Sequence, residues 1–235
     1  MENRELPFVQ EMFDAIAPRY DLLNRLLSLR QDVGWRKKMV AAMTVPEDGR
    51  VLDVACGTGD VMVEIRRQKG PQVKVTGIDF SPGMLGLARK KIDQQGLAGT
   101  FLLAGNALAM PFHKATFNAL TIAFGIRNIQ DKTGALKVFY DVLVPGGKVL
   151  VLELATPGSP RMRDAYLAYF QKVLPLVGKL FSRHRFAYSY LPESVSRFPT
   201  PDAFITIMKS AGFSKVSCRR LTLGIANLFV GVKST

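Results

Sequence analysis

The chain has 235 residues, 48% of them hydrophobic, enough for one well-filled domain. Two cysteines, Cys56 and Cys218, exclude a disulfide framework and a thiolate metal set, so no metal and a reduced, cytosolic compartment are expected. The formal charge of +13 is unevenly spread: residues 154–235 hold twelve Lys/Arg against three Asp/Glu, which points to an anionic partner (nucleic acid, phospholipid surface or anionic substrate) or to a solvated basic face.

The opening MENRELPFVQ lacks the apolar stretch of a secretory signal, and no run of about 18 apolar residues predicts a membrane span. The first fifty residues read as helical. Phe8, Val9, Met12, Phe13 and Ile16 recur at helical spacing until Pro18, and YDLLNRLLS and VGWRKKMVAAM carry further apolar faces. Then the period changes. RVLDVA reads as a short buried strand, with a helix from about Thr58 to Gln68. VKVTGID is a second strand, ending on Asp79. SPGMLGLARKKIDQQG follows as a helix with Ser81 as N-cap and Pro82 at its first position. TFLLAGNA and FNALTIAFG read as strands, DKTGALKVFYDVLVPGG as a helix closed by Pro-Gly-Gly, and KVLVLELA as a fifth strand. Alternation of this kind, with continuously apolar strands, predicts an α/β fold on a parallel sheet covered on both faces.

Residues 156–193 interrupt the alternation with a long, aromatic, basic stretch, read as two helices split near Pro175 with a loop after. TPDAFITIMKSAG resumes as a helix. FSKVSCRRL and GIANLFVGVK are strands whose short connection predicts antiparallel pairing at the sheet edge. The expected organisation is one domain: a helical cap over 1–49, a core over 50–155, a helical lid over 156–192, and a closing helix and edge strands over 193–235.

The stretch VLDVACGTGD carries the chemistry. A glycine turn between a first strand and its helix lets a ligand approach the backbone and the helix N-terminus. Dinucleotides and S-adenosylmethionine are both held there in doubly wound folds. A dinucleotide fingerprint wants G-x-G-x-x-G, but Gly57-Thr58-Gly59 is followed at the third position by Met62. Asp53 and Asp60 flank the turn; carboxylates suit a ligand bearing an ammonium and would repel a pyrophosphate. Asp79, ending the second strand, can accept ribose hydroxyls. Asn106 and Ala107 can meet an adenine edge. Each has a structural alternative: Asp60 as a helix N-terminal charge, Asn106 as a turn residue. Together, on the ends of successive strands, they favour a methyl-donor site.

At this point MFDAIAPRYDLLNRLLS, WR, VLDVACGTGD, GIDFSPGML, FGIRN, LVPGGKVLVLE, YSYLPESVSRFP and AGF can be taken as a set. With them the chain resembles the ubiquinone/menaquinone biosynthesis C-methyltransferases, of the demethylmenaquinone methyltransferase type, from about residue 12 to 231. The glycine turn is common to many methyltransferases; YDLLNRLLS with FGIRN and YLPES is specific. The resemblance implies the class I S-adenosylmethionine-dependent, Rossmann-like fold, a seven-stranded mostly parallel sheet with an antiparallel edge strand and helical insertions. It implies S-adenosylmethionine held by Thr58, Asp79, Asn106 and Ala107, with Asp53, Gly57, Gly59 and Ala123 beside them, and a prenylated quinol as substrate. Family members often carry Ser where Ala123 stands, His at Asp32 and at Phe229, Lys or Arg at Val144, and Ser at Ala155.

Ring methylation needs an aromatic carbon made electron-rich by an oxygen, and a phenol of pKa ~10 must be deprotonated or its developing charge stabilised. Arg127 is expected to stabilise the phenolate and Asn128 to orient a ring oxygen, with Asp60 taking the proton. The alternative for Arg127 is a structural ion pair with Asp131 or Asp60. Tyr20, Asn24 and Tyr188 are expected near the substrate, Tyr20 equally readable as core packing. His113 and His184 are isolated. The basic, apolar segment 161–191 could lie on an anionic membrane, cover the core or form a homodimer contact. Two rivals share part of this pattern. A class I methyltransferase for another small phenol or amine would use the same cofactor residues. An RNA methyltransferase would want basic residues among stacking aromatics, as in RHRFAYSY, yet no RNA-binding module is left over once the sheet is counted.

Overall fold

A computed structural model describes residues 11, 13–14, 17–164, 166–169 and 185–234, with 185–189 as backbone. The strands are β1 (Arg50–Val54), β2 (Lys74–Asp79), β3 (Thr100–Ala104), β4 (Phe117–Ala123), β5 (Leu143–Leu154), β6 (Phe213–Leu221) and β7 (Ala226–Lys233). The helices are α1 (Tyr20–Leu27), α2 (Gln31–Ala41), α3 (Asp60–Lys69), α4 (Pro82–Gln94), α5 (Lys132–Val142), α6 (Arg185–Ser196) and α7 (Pro201–Ser210). The strands form one sheet in the order β3-β2-β1-β4-β5-β7-β6. The first five run parallel; β7 is antiparallel to both β5 and β6. The hairpin expected at the edge is there, with β6 outermost and the reversed strand β7 one place inside it.

Continuous apolar strands fit because both faces are covered. In β1, Val51 packs on one side with Trp35, Met62 and Ile65, while Leu52 and Val54 pack on the other with Ile78, Ile122 and Phe139. Local signals set the helix starts: Ser81 Oγ accepts the Met84 amide, with Pro82 opening α4, and Thr200 caps α7 in the same way.

Two boundaries differ from the expectation. α5 ends at Val142, and Val144-Pro145-Gly146-Gly147 belongs to β5 instead of closing the helix. Proline disfavours helical backbone at the residue before it, and Gly146 at φ 77 supports an irregular stretch. There the β4–β5 register slips, from Phe117↔Leu143 to Ala119↔Lys148. The loop expected at the end of the 156–193 stretch is instead helix α6, with Pro192 inside it. Leu191 and Val195, one turn apart, pack with Tyr166, and that apolar contact outweighs the amide donor that proline lacks. The split near Pro175 lies outside the described residues, as do most of the N-terminal apolar positions.

Phe229 belongs to an aromatic cluster with Phe198 and Phe204. It is fully buried on β7, its ring 4.8 Å from that of Phe204 and 6.5 Å from that of Phe198. No polar partner is needed there, because three rings fill the space. Phe229→Ala should lower stability by about 3–5 kcal/mol through lost burial and the cavity left behind. Equilibrium urea unfolding checks the value.

Candidate active site

Strand order reverses at β1 and β4, and ligands in such sheets bind beyond the carboxyl ends of the strands at that reversal. A cleft of about 960 Å³, counted with its open mouth, lies there. The backbone around it is bent hard. Ala55 (φ 51) after β1 and Phe124 (φ 59) after β4 are non-glycine residues in the left-handed region, and both line the cleft. Gly57 (φ 54) continues the turn, and a Cβ there would enter open space. At Gly125 a Cβ would come within 2.7 Å of the Ala55 Cβ, so glycine lets the two strand ends meet.

Asp79 ends β2 on the cleft wall. Its Oδ2 accepts the Gly57 amide at 2.8 Å and its Oδ1 the Ser81 amide at 2.9 Å. Burial raises its pKa, opposed by these amides. Each oxygen retains a lone pair for a hydroxyl in the cleft. Asn106 and Ala107 line the cleft, as does Ala123. The Asn106 Oδ1 also accepts the Leu108 amide at 2.9 Å, so its turn role is real as well. Ile78, Phe80, Met84 and Leu108 give apolar walls suited to a flat ring, with Asp79 placed for a ribose.

Asp53, Thr58, Gly59 and Asp60 are not among the residues lining the cleft. Asp53 is buried beneath the turn, its Oδ1 taking the Thr121 hydroxyl at 2.7 Å and its Oδ2 without a partner among the described residues. Burial pushes its pKa up to about 7, against the Thr121 hydrogen bond and the charge of Arg36. Gly59 (φ 82) lets α3 start close to α4, its missing Cβ 3.3 Å from that of Ala88.

Asp60 corrects the expectation. Its carboxylate is held by Arg25 and Lys91, each at 2.5 Å, with Arg36 at 3.7 Å. Burial alone would raise its pKa, but the charges of Arg36 and Lys91 and the hydrogen bonds of Lys91 and Arg25 hold it at about 2. A carboxylate so stabilised is a poor base at neutral pH. The cluster extends further. Asp32 accepts from Arg25, Arg36 and the Ser28 hydroxyl. Asp21 pairs with Lys91 at 2.7 Å and accepts the Thr58 hydroxyl at 2.6 Å. Asp14 accepts from the Ser81 hydroxyl and the Gly83 amide. Carboxylates of the N-terminal segment thus grip the first two strand–helix turns, and Phe13 and Tyr20 form part of the cleft wall.

The 3₁₀ turn Ile126–Asn128 carries the remaining candidates. The Arg127 side chain is 7% exposed and pairs with Glu153, Nη1 to Oε1 at 2.8 Å, while its backbone amide donates to Oε2 at 3.1 Å. Its ion-pair partner is therefore Glu153, not Asp131 or Asp60. Burial would lower the guanidinium pKa, but Glu153, Tyr20 and Tyr190 raise it above its ordinary value. Asn128 lines the cleft and takes the Tyr190 hydroxyl on Oδ1 at 3.0 Å. Tyr20 lines the cleft too. Burial raises its pKa, opposed by Arg127, an Asn24 hydrogen bond and Arg36. Tyr190 and Glu153 escaped the sequence reading. Glu153 had a signal: a lone acid in the apolar run VLVLELA must find a cation when buried. Tyr190 had one as well, since it opens the specific stretch YLPES, but that stretch was not given a role at the site. The Tyr188 side chain lies outside the described residues.

The chain matches the model of the ubiE/COQ5 methyltransferase family over residues 1–233. It is 46% identical over 226 residues, 96% of this chain and 88% of the relative, to the ubiquinone/menaquinone biosynthesis C-methyltransferase UbiE of Geobacter sulfurreducens. It is 47% identical over 225 residues, 96% of this chain and 92% of the relative, to the demethylmenaquinone methyltransferase of Deinococcus radiodurans. Its fold is similar to that of a SAM-dependent methyltransferase from Aquifex aeolicus (TM-score 0.67, 16% identity, 93% of this chain and 97% of that one). It is also similar to Haemonchus contortus phosphoethanolamine N-methyltransferase 2, solved with S-adenosyl-L-methionine (TM-score 0.63, 16% identity, 87% and 52%).

The Asp60 cluster makes an acid-stability prediction. Its folded pKa is depressed from 3.8 to about 2, so the stabilisation is present above pH ~4 and is lost as pH falls toward 2. The difference is worth about 2 kcal/mol. Urea unfolding at pH 5, 4 and 3 should show the decline, and Asp60→Asn should flatten it.

Proposed function

The chain belongs to the ubiE/COQ5 methyltransferase family, and on that premise we propose that it methylates a ring carbon of a prenylated quinol, demethylmenaquinol or its benzoquinol counterpart, with S-adenosylmethionine as donor. The bound donor supplies an electrophilic methyl group on a sulfonium. Asp79 would hold the ribose hydroxyls, with Asn106 and Ala107 at the adenine edge. The Gly57 turn, with Asp53 beneath it, would receive the cationic methionyl end. The ring carbon gains the methyl and releases a proton.

One observation carries the substrate side: Tyr20 and Asn128 line the same cleft as Asp79, with the Arg127 charge behind them. Arg127 would stabilise the phenolate, its fork fixed by Glu153. Asn128 spends its carbonyl oxygen on Tyr190, so its amide nitrogen is the group to donate to a ring oxygen. Tyr20 keeps its proton, because burial raises its pKa, and acts as donor, not base. With Asp60 engaged by cations, the quinol proton is assigned to water in the cleft. A prenyl tail resides in a bilayer, so we place the enzyme at the cytoplasmic face of the membrane in peripheral contact with anionic lipid. Most of 161–191, the segment expected to make that contact, lies outside the described residues. Among the described residues no helix is long and apolar enough to cross a membrane.

Three measurements test the reading. Asp79→Asn should weaken S-adenosylhomocysteine binding by about 2–3 kcal/mol in calorimetry, because a charge-assisted acceptor is lost. Arg127→Ala would strand the buried Glu153, so the informative variants are Arg127→Lys and the double Arg127→Gln/Glu153→Gln. kcat should fall about tenfold in the first and a hundredfold or more in the second, with donor affinity near normal. The rate at saturating donor should rise with pH as the quinol ionises, and Asp60→Asn should leave the shape of that profile unchanged. A profile that loses its rise in Asp60→Asn would restore Asp60 as the base.

A further inference from the structure

Among the described residues, five of the six large exposed apolar side chains lie on the cap, the β6–β7 turn and the stretch at Tyr166; the sixth, Phe101, is on β3. Leu22 and Leu26 face outward one turn apart on α1, and Leu29, 75% exposed, follows in the turn to α2. Leu223, 72% exposed, tips the β6–β7 turn. The two turns are joined: the Thr222 hydroxyl donates to Gln31 at 3.2 Å and accepts from the Trp35 indole at 2.8 Å. Beneath them Leu27, Ile225, Tyr166 and Val195 form a small apolar cluster. Leu167, 43% exposed, projects from the same stretch as Tyr166.

Leu29 and Leu223 share a second property. Their φ angles are 50 and 57, in the left-handed region where glycine or asparagine is the ordinary occupant. Each places an apolar side chain in water on a backbone that disfavours it. Neither leucine gains much burial from folding, which makes both candidates for a contact outside the chain. The charge around the two turns is mainly basic, with Asp21 beside Leu22 and Asp164 near Leu167 as the acids on this side. There is no Asp or Glu from Leu22 to Gln31 or from Ser214 to Lys233, while Arg30, Arg219 and Arg220 are exposed.

We propose that Leu29 and Leu223, flanked by Leu22 and Leu26, form a wedge that docks on an anionic bilayer, with Arg30, Arg219 and Arg220 at the level of the lipid phosphates. Apolar tips enter the boundary of the acyl chains, and the arginines supply the attraction that salt screens. This deepens the reading of a bilayer-borne substrate and rests on it. It places the contact on described residues of the cap and hairpin instead of on 161–191.

The test is the double variant Leu29→Asn/Leu223→Asn, which removes the apolar tips and puts a residue suited to the backbone in their place. Sedimentation with phosphatidylglycerol–phosphatidylcholine vesicles is compared with phosphatidylcholine alone, at low and high salt. The wild-type chain should bind the anionic vesicles, less so as salt rises. The double variant should bind at least tenfold more weakly while its melting temperature holds or rises and its methylation of a short-tailed, water-soluble quinol is unchanged. A merely structural role for the leucines would lower the melting temperature and overturn the proposal. Unchanged vesicle binding would overturn it too, as would a wild-type dimer that the variant splits, which would assign the face to a second copy. Vesicle binding by a wild-type chain that fails to methylate the soluble quinol would support the wedge and overturn the catalytic reading.

Discussion

Glu153 is a carboxylate with no exposed surface, on the strand that neighbours β4. A charge in that position has to be met, and Arg127 meets it with both its guanidinium and its backbone amide. The pair fixes where the chain turns as it leaves β4. Asn128 is thereby set on the cleft wall, and α6 is drawn in through Ser194, whose hydroxyl receives the Arg127 Nε at 3.4 Å, and through Tyr190. The buried pair gives the substrate side of the cleft its shape.

The cofactor side is closed by a different device. The N-terminal segment adds Trp35, Met39 and Val40 of α2 to the core and also brings Asp14, Asp21 and Asp32 to cations, hydroxyls and amides on α1, α2, α4 and the turns before α3 and α4. Asp60, at the start of α3, is the shared anion of this network. Its partly buried pairs are worth more than exposed ones because water screens them less. Asp32 is buried between Arg25 and Arg36, which balance its charge.

The sequence made the sheet legible wherever one physical signal dominated. Apolar strands alternating with capped helices placed β1 to β4 and α4 within a few residues, and Asp79 ends β2 on the cleft wall, as read from the strand's end. Boundaries failed where two signals competed. Pro-Gly-Gly was read as a helix stop, while extended backbone before Pro145 let β5 start early. The end of the aromatic, basic stretch was read as a loop, but apolar contacts on α6 decided otherwise. Asp60 was misread for a related reason. Its neighbours in sequence do not include Arg25 or Lys91, and a carboxylate's proton affinity is set by neighbours in space.

The place of β7 has a consequence for how the chain assembles. Leu150 pairs with Val230, eighty positions further on, and β6 touches the sheet through β7. Until Ala226–Lys233 has been synthesised, β5 presents an apolar strand with one unpaired edge, and β6 has nothing to join. Such an edge is a template for another chain, and closing so long a loop is slow. A ribosome stalled before Ala226 would hold a nearly complete cofactor cleft on a sheet still open to aggregation. Shielding by a chaperone would matter most in that interval.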